Sequence, residues 1–129
     1  ISPNLRFTDD LLDLCASCDY ITIHVPATPK TKGMIGADEI AAMKEGAAFL
    51  NFSRDTLVDN DAMRAGLTSG KVRRYVTDFA TPEVMTMEGA LVLPHLGAST
   101  AEAEENCAEM AVREVMDYLE TGKKVHCVN

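Results

Sequence analysis

AAFLNFSRDTLVDNDAMRAGLTSGKVRRYVTDF (residues 47–79) decides the fold. Its two ends, AAFLNFS (47–53) and VRRYVTDF (72–79), are short apolar runs of strand type. Between them lies a helix-forming stretch that starts at Asp59 and stops at Gly70. Strand, helix, strand at this spacing predicts a βα unit with parallel strands. The pattern repeats outward in both directions. Upstream come a short extended start around Leu5–Phe7, a helix from Thr8 to about Cys18 and the strand YITIHV (20–25). A loop through Pro26, Pro29 and Gly33 then leads to a short helix, ADEIAAMK (37–44). Downstream, a loop through Glu83 leads to a last strand in ALVLP (90–94). The longest helix follows, opened by a capping box at Ser99-x-x-Glu102. Within it Cys107, Ala111, Val115 and Leu119 recur every four residues beside Ala108 and Val112, the spacing of a core-facing stripe. Gly122 is placed to end it.

Composition narrows the function. The chain has 129 residues, 47% of them hydrophobic and 25% charged, as in one ordinary globular domain or part of one. Twenty acidic against twelve basic residues give a net charge of −8, which argues against a nucleic-acid partner. No apolar run approaches the ~18–20 residues of a membrane span. No secretory signal pattern is visible, and a cytoplasmic protein is expected. The chain starts at Ile1 without a methionine and is expected to be a piece of something longer. Cys15 and Cys18 form a CxxC, but the pair ends a helix-like run and lacks a second ligand pair. Free thiols are the better reading, and no metal site is expected.

Three chemically capable residues each follow closely on a strand-like run: Arg54, Glu83 and His95. Carboxyl ends of parallel strands face the ligand crevice, so the three are expected to converge. A guanidinium can grip a carboxylate through paired hydrogen bonds, and a carboxylate-supported imidazole can take a proton. That combination suits oxidation of a hydroxy acid. Spacing alone favours the plainer reading of a salt-bridging Arg, a surface Glu and a loop His. His24 lies inside an apolar strand, where packing accounts for it, and His126 lies in the tail.

Four stretches occur in order: DYITIHVPATPKTKGMIG (19–36), MKEGAAFLNFSRDTLVD (43–59), SGKVRRYVTDFATPE (69–83) and LVLPHLGASTAEAEENC (91–107). Together they resemble the NAD-dependent D-2-hydroxyacid dehydrogenases, in the second half of their nucleotide-binding domain. The branch acting on 3-phospho-D-glycerate, in serine biosynthesis, looks nearest through HLGAST and the closing Val128-Asn129. The resemblance implies a partial Rossmann-like α/β domain over 1–129, the second half of a doubly wound sheet, with about four parallel strands and flanking helices. The substrate domain would lie outside this chain. So would the glycine turn that cradles the pyrophosphate, since no G-x-G-x-x-G occurs.

The resemblance also assigns roles. Arg54, in Asn51-Phe52-Ser53-Arg54, would hold the substrate carboxylate, with Asp55 where the family commonly has glycine. Asp78 would receive the nicotinamide carboxamide. Glu83 would hydrogen-bond His95, which would accept the hydroxyl proton as hydride leaves C2. Pro26 and Thr31 would flank the adenosine end of NAD, while Phe52, Ser53, Arg54, His95, Leu96, Gly97 and Ala98 would line the nicotinamide end. The substrate would be a 2-hydroxy or 2-oxo acid. Glycerate, glyoxylate or lactate are alternative substrates, and an NAD-sensing corepressor-like module is the non-enzymatic alternative. A homodimer is expected, paired across strand 20–25 or through helix 99–120.

Overall fold

A computed structural model describes residues 5–127, so the closing Val128-Asn129 lies outside the described residues. The chain divides into two compact units, Ile1–His95 and Leu96–Asn129.

The first unit is built on four parallel strands: β1 (Tyr20–Ile23), β2 (Ala47–Asn51), β3 (Val72–Thr77) and β4 (Ala90–Val92), in that spatial order. The helices are α1 (Leu11–Ser17), α2 (Ala37–Ala42), α3 (Asn60–Ser69) and α4 (Pro82–Met85), with a 3-10 turn at Asp55–Leu57. This is the parallel α/β sheet expected from the alternation of periods. Each strand neighbours the next in sequence, which is what βα crossovers produce when they all wind the same way. β2 is buried along nearly its whole length, whereas β1 at the edge alternates exposed and buried.

The core gathers Phe49, Tyr75, Ile35, Met43, Leu57, Met63 and Val72, all essentially inaccessible to water. Phe49 and Tyr75 sit on paired positions of β2 and β3 with ring centroids 6.2 Å apart. Gly66 of α3 lies so close to the layer beneath that an added Cβ would meet the Ile40 Cγ2 at 2.7 Å. α3 stops at Gly70, whose φ of +82° is a left-handed cap that a side chain would resist. Pairing runs Ala47↔Val72 and then Ala48↔Arg74, so Arg73 is an extra residue in β3. That bulge lets two consecutive arginines, Arg73 and Arg74, both face water.

Several boundaries differ from expectation, each for a local reason. α1 begins at Leu11 rather than Thr8, because the Asp10 carboxylate caps the N–H groups of Leu12 and Asp13. The loop through Glu83 contains a helical turn, α4, with Thr81 as cap and Pro82 in its first turn. His24 is not packed inside the strand. It lies beyond the end of β1, exposed, with Nε2 2.9 Å from the Thr22 hydroxyl.

The second unit is the helix α5 (Ala101–Thr121) and its tail. Thr100, not Ser99, is the cap: its hydroxyl accepts from Ala103 N–H at 3.1 Å, so the capping box at Ser99 does not form. Gly122 ends the helix at φ +70°. The stripe of Cys107, Ala111, Val115 and Leu119 is not buried; no residue of α5 is. Among its described residues the unit contains no second helix or strand to cover it. His126 in the tail returns to the helix through Nδ1, 2.7 Å from a Glu114 oxygen.

Candidate functional site

Register brings the loops together. Ile23, Asn51, Thr77 and Val92 are partners across the four strands, so the segments after them leave from one end of the sheet. Pro26, Arg54, Asp78 and His95 follow these four residues by one to three positions. The crevice at the carboxyl ends of parallel strands is where α/β sheets bind ligands.

After β1, the loop is folded on itself by threonines. The Thr31 hydroxyl donates to the Pro26 carbonyl at 2.7 Å and accepts the N–H of Thr28 at 2.8 Å. Pro26 and Thr31 are thus brought into one turn, with accessible side chains and backbone.

After β2, the chain is held by Asn51. This side chain is wholly buried: its amide NH2 donates to the Arg54 carbonyl at 2.8 Å, and its oxygen accepts the Ser53 N–H at 3.1 Å. The Ser53 hydroxyl donates to the Ile23 carbonyl at 2.8 Å, tying this loop to the end of β1. Arg54 is exposed and extended, with Nη1 donating to the Ser53 carbonyl at 2.6 Å. Asp55 is exposed too; its carboxylate accepts the Thr56 N–H at 2.8 Å and opens the 3-10 turn. Phe52 is partly open to solvent beside them.

After β3 and β4, two loops share a pair. The Leu93 N–H donates to the Thr77 carbonyl at 2.8 Å, which extends the pairing past the strand ends. Asp78 and His95 come next, and His95 Nδ1 lies 2.8 Å from Asp78 Oδ2. The carboxylate side chain is only 12% exposed and the imidazole 60%. Phe79 packs against the imidazole with ring centroids 5.2 Å apart. The other Asp78 oxygen, Oδ1, is buried and without a hydrogen-bond partner. A buried acceptor left open is uncommon, and an amide donor would satisfy it.

Glu83, expected beside His95, makes no hydrogen bond to it among the described residues. The carboxylate on the imidazole is that of Asp78, because β3 and β4 are neighbours and their ends run on together. Glu83 stands in the first turn of α4, exposed. Its carbonyl accepts from Arg64 Nη2 at 2.9 Å. Glu83 lines a cleft of about 360 Å³ together with Phe79, Thr81, Lys32 and Asp55.

Leu96, Gly97 and Ala98 open the second unit as an exposed turn, in which the Ser99 N–H donates to the Leu96 carbonyl at 3.1 Å. Among the described residues no group of three His, Cys, Asp or Glu is placed to hold a metal ion. Among the described residues no helix is long and apolar enough to cross a membrane.

Among the described residues, the burial of two polar side chains, Asn51 and Thr77, escaped the sequence reading. Both end apolar strands, and the Thr77 hydroxyl accepts the Phe79 N–H at 3.3 Å. A polar side chain closing an apolar run just before a functional loop was the available signal. Burial also pushes the neighbouring Tyr75 phenol above its ordinary value, with hydrogen bonding to Asn51 and Thr77 opposing the rise.

Residues 3–97 match the family model described as D-isomer specific 2-hydroxyacid dehydrogenase, NAD binding domain. The chain is 35% identical to a D-3-phosphoglycerate dehydrogenase of Methanocaldococcus jannaschii, over 92% of this chain and 24% of that protein. It is 34% identical to a glyoxylate/hydroxypyruvate reductase B of Cronobacter sakazakii, over 98% of this chain and 41% of that protein. Among solved structures, a glyoxylate reductase from Paecilomyes thermophila superposes with a TM-score of 0.80 at 26% identity, covering 89% of this chain and 37% of that one. The chain therefore spans about a quarter to two-fifths of the length of these relatives.

Proposed function

Since this chain belongs to the D-isomer specific 2-hydroxyacid dehydrogenase family, we propose that its full-length protein oxidises a D-2-hydroxy acid, and reduces the matching 2-oxo acid, with the site at the strand ends. The observation that carries this reading is the His95–Asp78 pair, 2.8 Å apart, at the end of the sheet from which Arg54 also projects.

The residues suit an NAD nicotinamide. The unpartnered buried Asp78 Oδ1 is an acceptor for the carboxamide, and Phe52 offers an apolar wall. Bound NAD supplies the acceptor for the hydride leaving C2. Arg54 binds the substrate carboxylate, and its planar fork fixes the orientation of C2. His95 takes the hydroxyl proton on Nε2 as the C2–O bond becomes a carbonyl, and returns it in reduction. Asp78 accepts the Nδ1–H, which leaves Nε2 unprotonated and facing the reaction. Glu83 borders the cleft that Phe79, the ring against His95, also lines.

The substrate we favour is 3-phospho-D-glycerate, after the similarity to D-3-phosphoglycerate dehydrogenases at 34–35% identity. Reduction of glyoxylate or hydroxypyruvate is the second reading, and the reductase at 34% identity favours it. A cytoplasmic setting fits either. NADH oxidation by the full-length protein with 3-phosphohydroxypyruvate, hydroxypyruvate, glyoxylate and pyruvate tests the reading. Turnover of the phosphorylated acid with the highest kcat/KM supports the first; no turnover of any of them overturns both.

A further inference from the structure

Asn51 occupies the last position of β2, where its neighbours Ala47, Ala48 and Phe49 are buried hydrocarbon. A buried amide is costly unless its donors and acceptor are used. Here both ends of the amide go to the backbone of the next loop: Nδ2 to the Arg54 carbonyl at 2.8 Å, Oδ1 from the Ser53 N–H at 3.1 Å. The loop is further anchored by the Ser53 hydroxyl on the Ile23 carbonyl at 2.8 Å, and the Arg54 carbonyl also accepts the Leu57 N–H at 3.4 Å. The Arg54 backbone is therefore grasped on its carbonyl side by a rigid strand, while its side chain stays exposed. An aliphatic residue could fill the volume but would leave the Arg54 carbonyl and the Ser53 N–H without these partners.

We propose that Asn51 is a positioning residue for Arg54, setting the affinity of the site for the carboxylate of a 2-oxo acid more strongly than its affinity for the cofactor. The inference rests on the reading of Arg54 as the carboxylate anchor. Its physical basis is that a guanidinium recognises a carboxylate through two parallel bonds, and such a fork tolerates little displacement of the backbone that bears it. The residues expected at the adenosine end, Pro26 and Thr31, belong to a loop with its own hydrogen bonds, which do not involve Asn51.

The test uses the full-length protein with Asn51→Asp, which is isosteric, and Asn51→Ala. An ionised aspartate keeps the acceptor for Ser53 but cannot donate to the Arg54 carbonyl; a protonated one can. KM for the 2-oxo acid should rise about 10–100-fold in both variants near neutral pH, with NADH affinity by fluorescence titration changing by a much smaller factor. For Asn51→Asp the KM ratio to wild type should shrink as the pH is lowered, since protonation restores the donor. Unchanged KM in a folded variant overturns the proposal. NADH affinity falling in step with KM also overturns it, because Asn51 would then be a general structural residue. Should Asn51→Ala fail to fold, Asn51→Asp and its pH dependence decide. If the wild type turns over no 2-oxo acid, the dehydrogenase reading fails separately. The clamp is then judged by amide exchange at Ser53, whose N–H loses its acceptor in Asn51→Ala: faster exchange there supports it and unchanged exchange overturns it.

Discussion

Replacing Asp78 by Asn should cost more turnover than replacing Glu83 by Gln. Asp78→Asn keeps the shape but turns an acceptor into a group that can donate to Nδ1. The imidazole then favours the tautomer with its proton on Nε2, where it can no longer accept one from the substrate. Loss of a general base costs about 10²–10⁴-fold. Two features of the structure place the effect toward the lower end of that range. The imidazole is 60% exposed, so water can partly replace the carboxylate, and Phe79 still holds the ring from its face. We therefore expect kcat to fall about 10²-fold in Asp78→Asn. Glu83→Gln should lower it by less than about tenfold, because no carboxylate oxygen of Glu83 holds the imidazole and its carbonyl bond to Arg64 survives. Steady-state NADH oxidation at saturating 2-oxo acid, with circular dichroism to confirm folding, measures both. A larger loss in Glu83→Gln would refute the reasoning and return the proton relay to Glu83.

Arg54→Lys keeps the charge but replaces a planar fork by a point charge. KM for the 2-oxo acid should rise about 10–100-fold, the worth of a hydrogen bond to a charged group, and wild-type kinetics would move carboxylate recognition elsewhere. Gly66→Ala should destabilise the chain by about 1 kcal/mol. The helix gains about 1 kcal/mol from alanine, but overpacking costs about 1–3, and the new Cβ meets Ile40 at 2.7 Å and Val72 at 3.3 Å. A urea midpoint at or above that of wild type would show that Ile40 moves aside freely. Alkaline pH should weaken the fold. Burial, helped by the charges of Glu39 and Cys18, pushes the Cys15 thiol above its ordinary 9.0, and burial pushes the Tyr75 phenol above 10.0. The unfolded chain releases both protons first, so their stabilising contribution is complete below pH 9 and is lost as pH rises through the folded values. Urea unfolding across this range should show the loss, and Cys15→Ala should flatten its early part; an unaltered slope would clear Cys15.

Hydrophobic period and turn chemistry are local properties, so the sequence by itself determined the alternation of strands and helices and the stop at Gly70. The same holds for the placement of Arg54, Asp78 and His95 just beyond strand ends. Motif order pointed to the family on the same basis. Caps were less legible, because Thr8 and Asp10, or Ser99 and Thr100, are all competent, and hydrogen-bond geometry alone selects one. Only tertiary structure decided which carboxylate meets His95. Asp78 and Glu83 are both near β3 in sequence, but the pairing of Thr77 with Val92 carries Asp78 onto the imidazole while α4 turns Glu83 toward the cleft. The burial of Asn51 was likewise invisible, since a polar residue at a strand end looks like the start of a loop. What makes it a clamp is the backbone of residues 53 and 54 folding back over it. The stripe on α5 marks the opposite limit: a period of four shows which face is apolar, and burial depends on an element that can cover it.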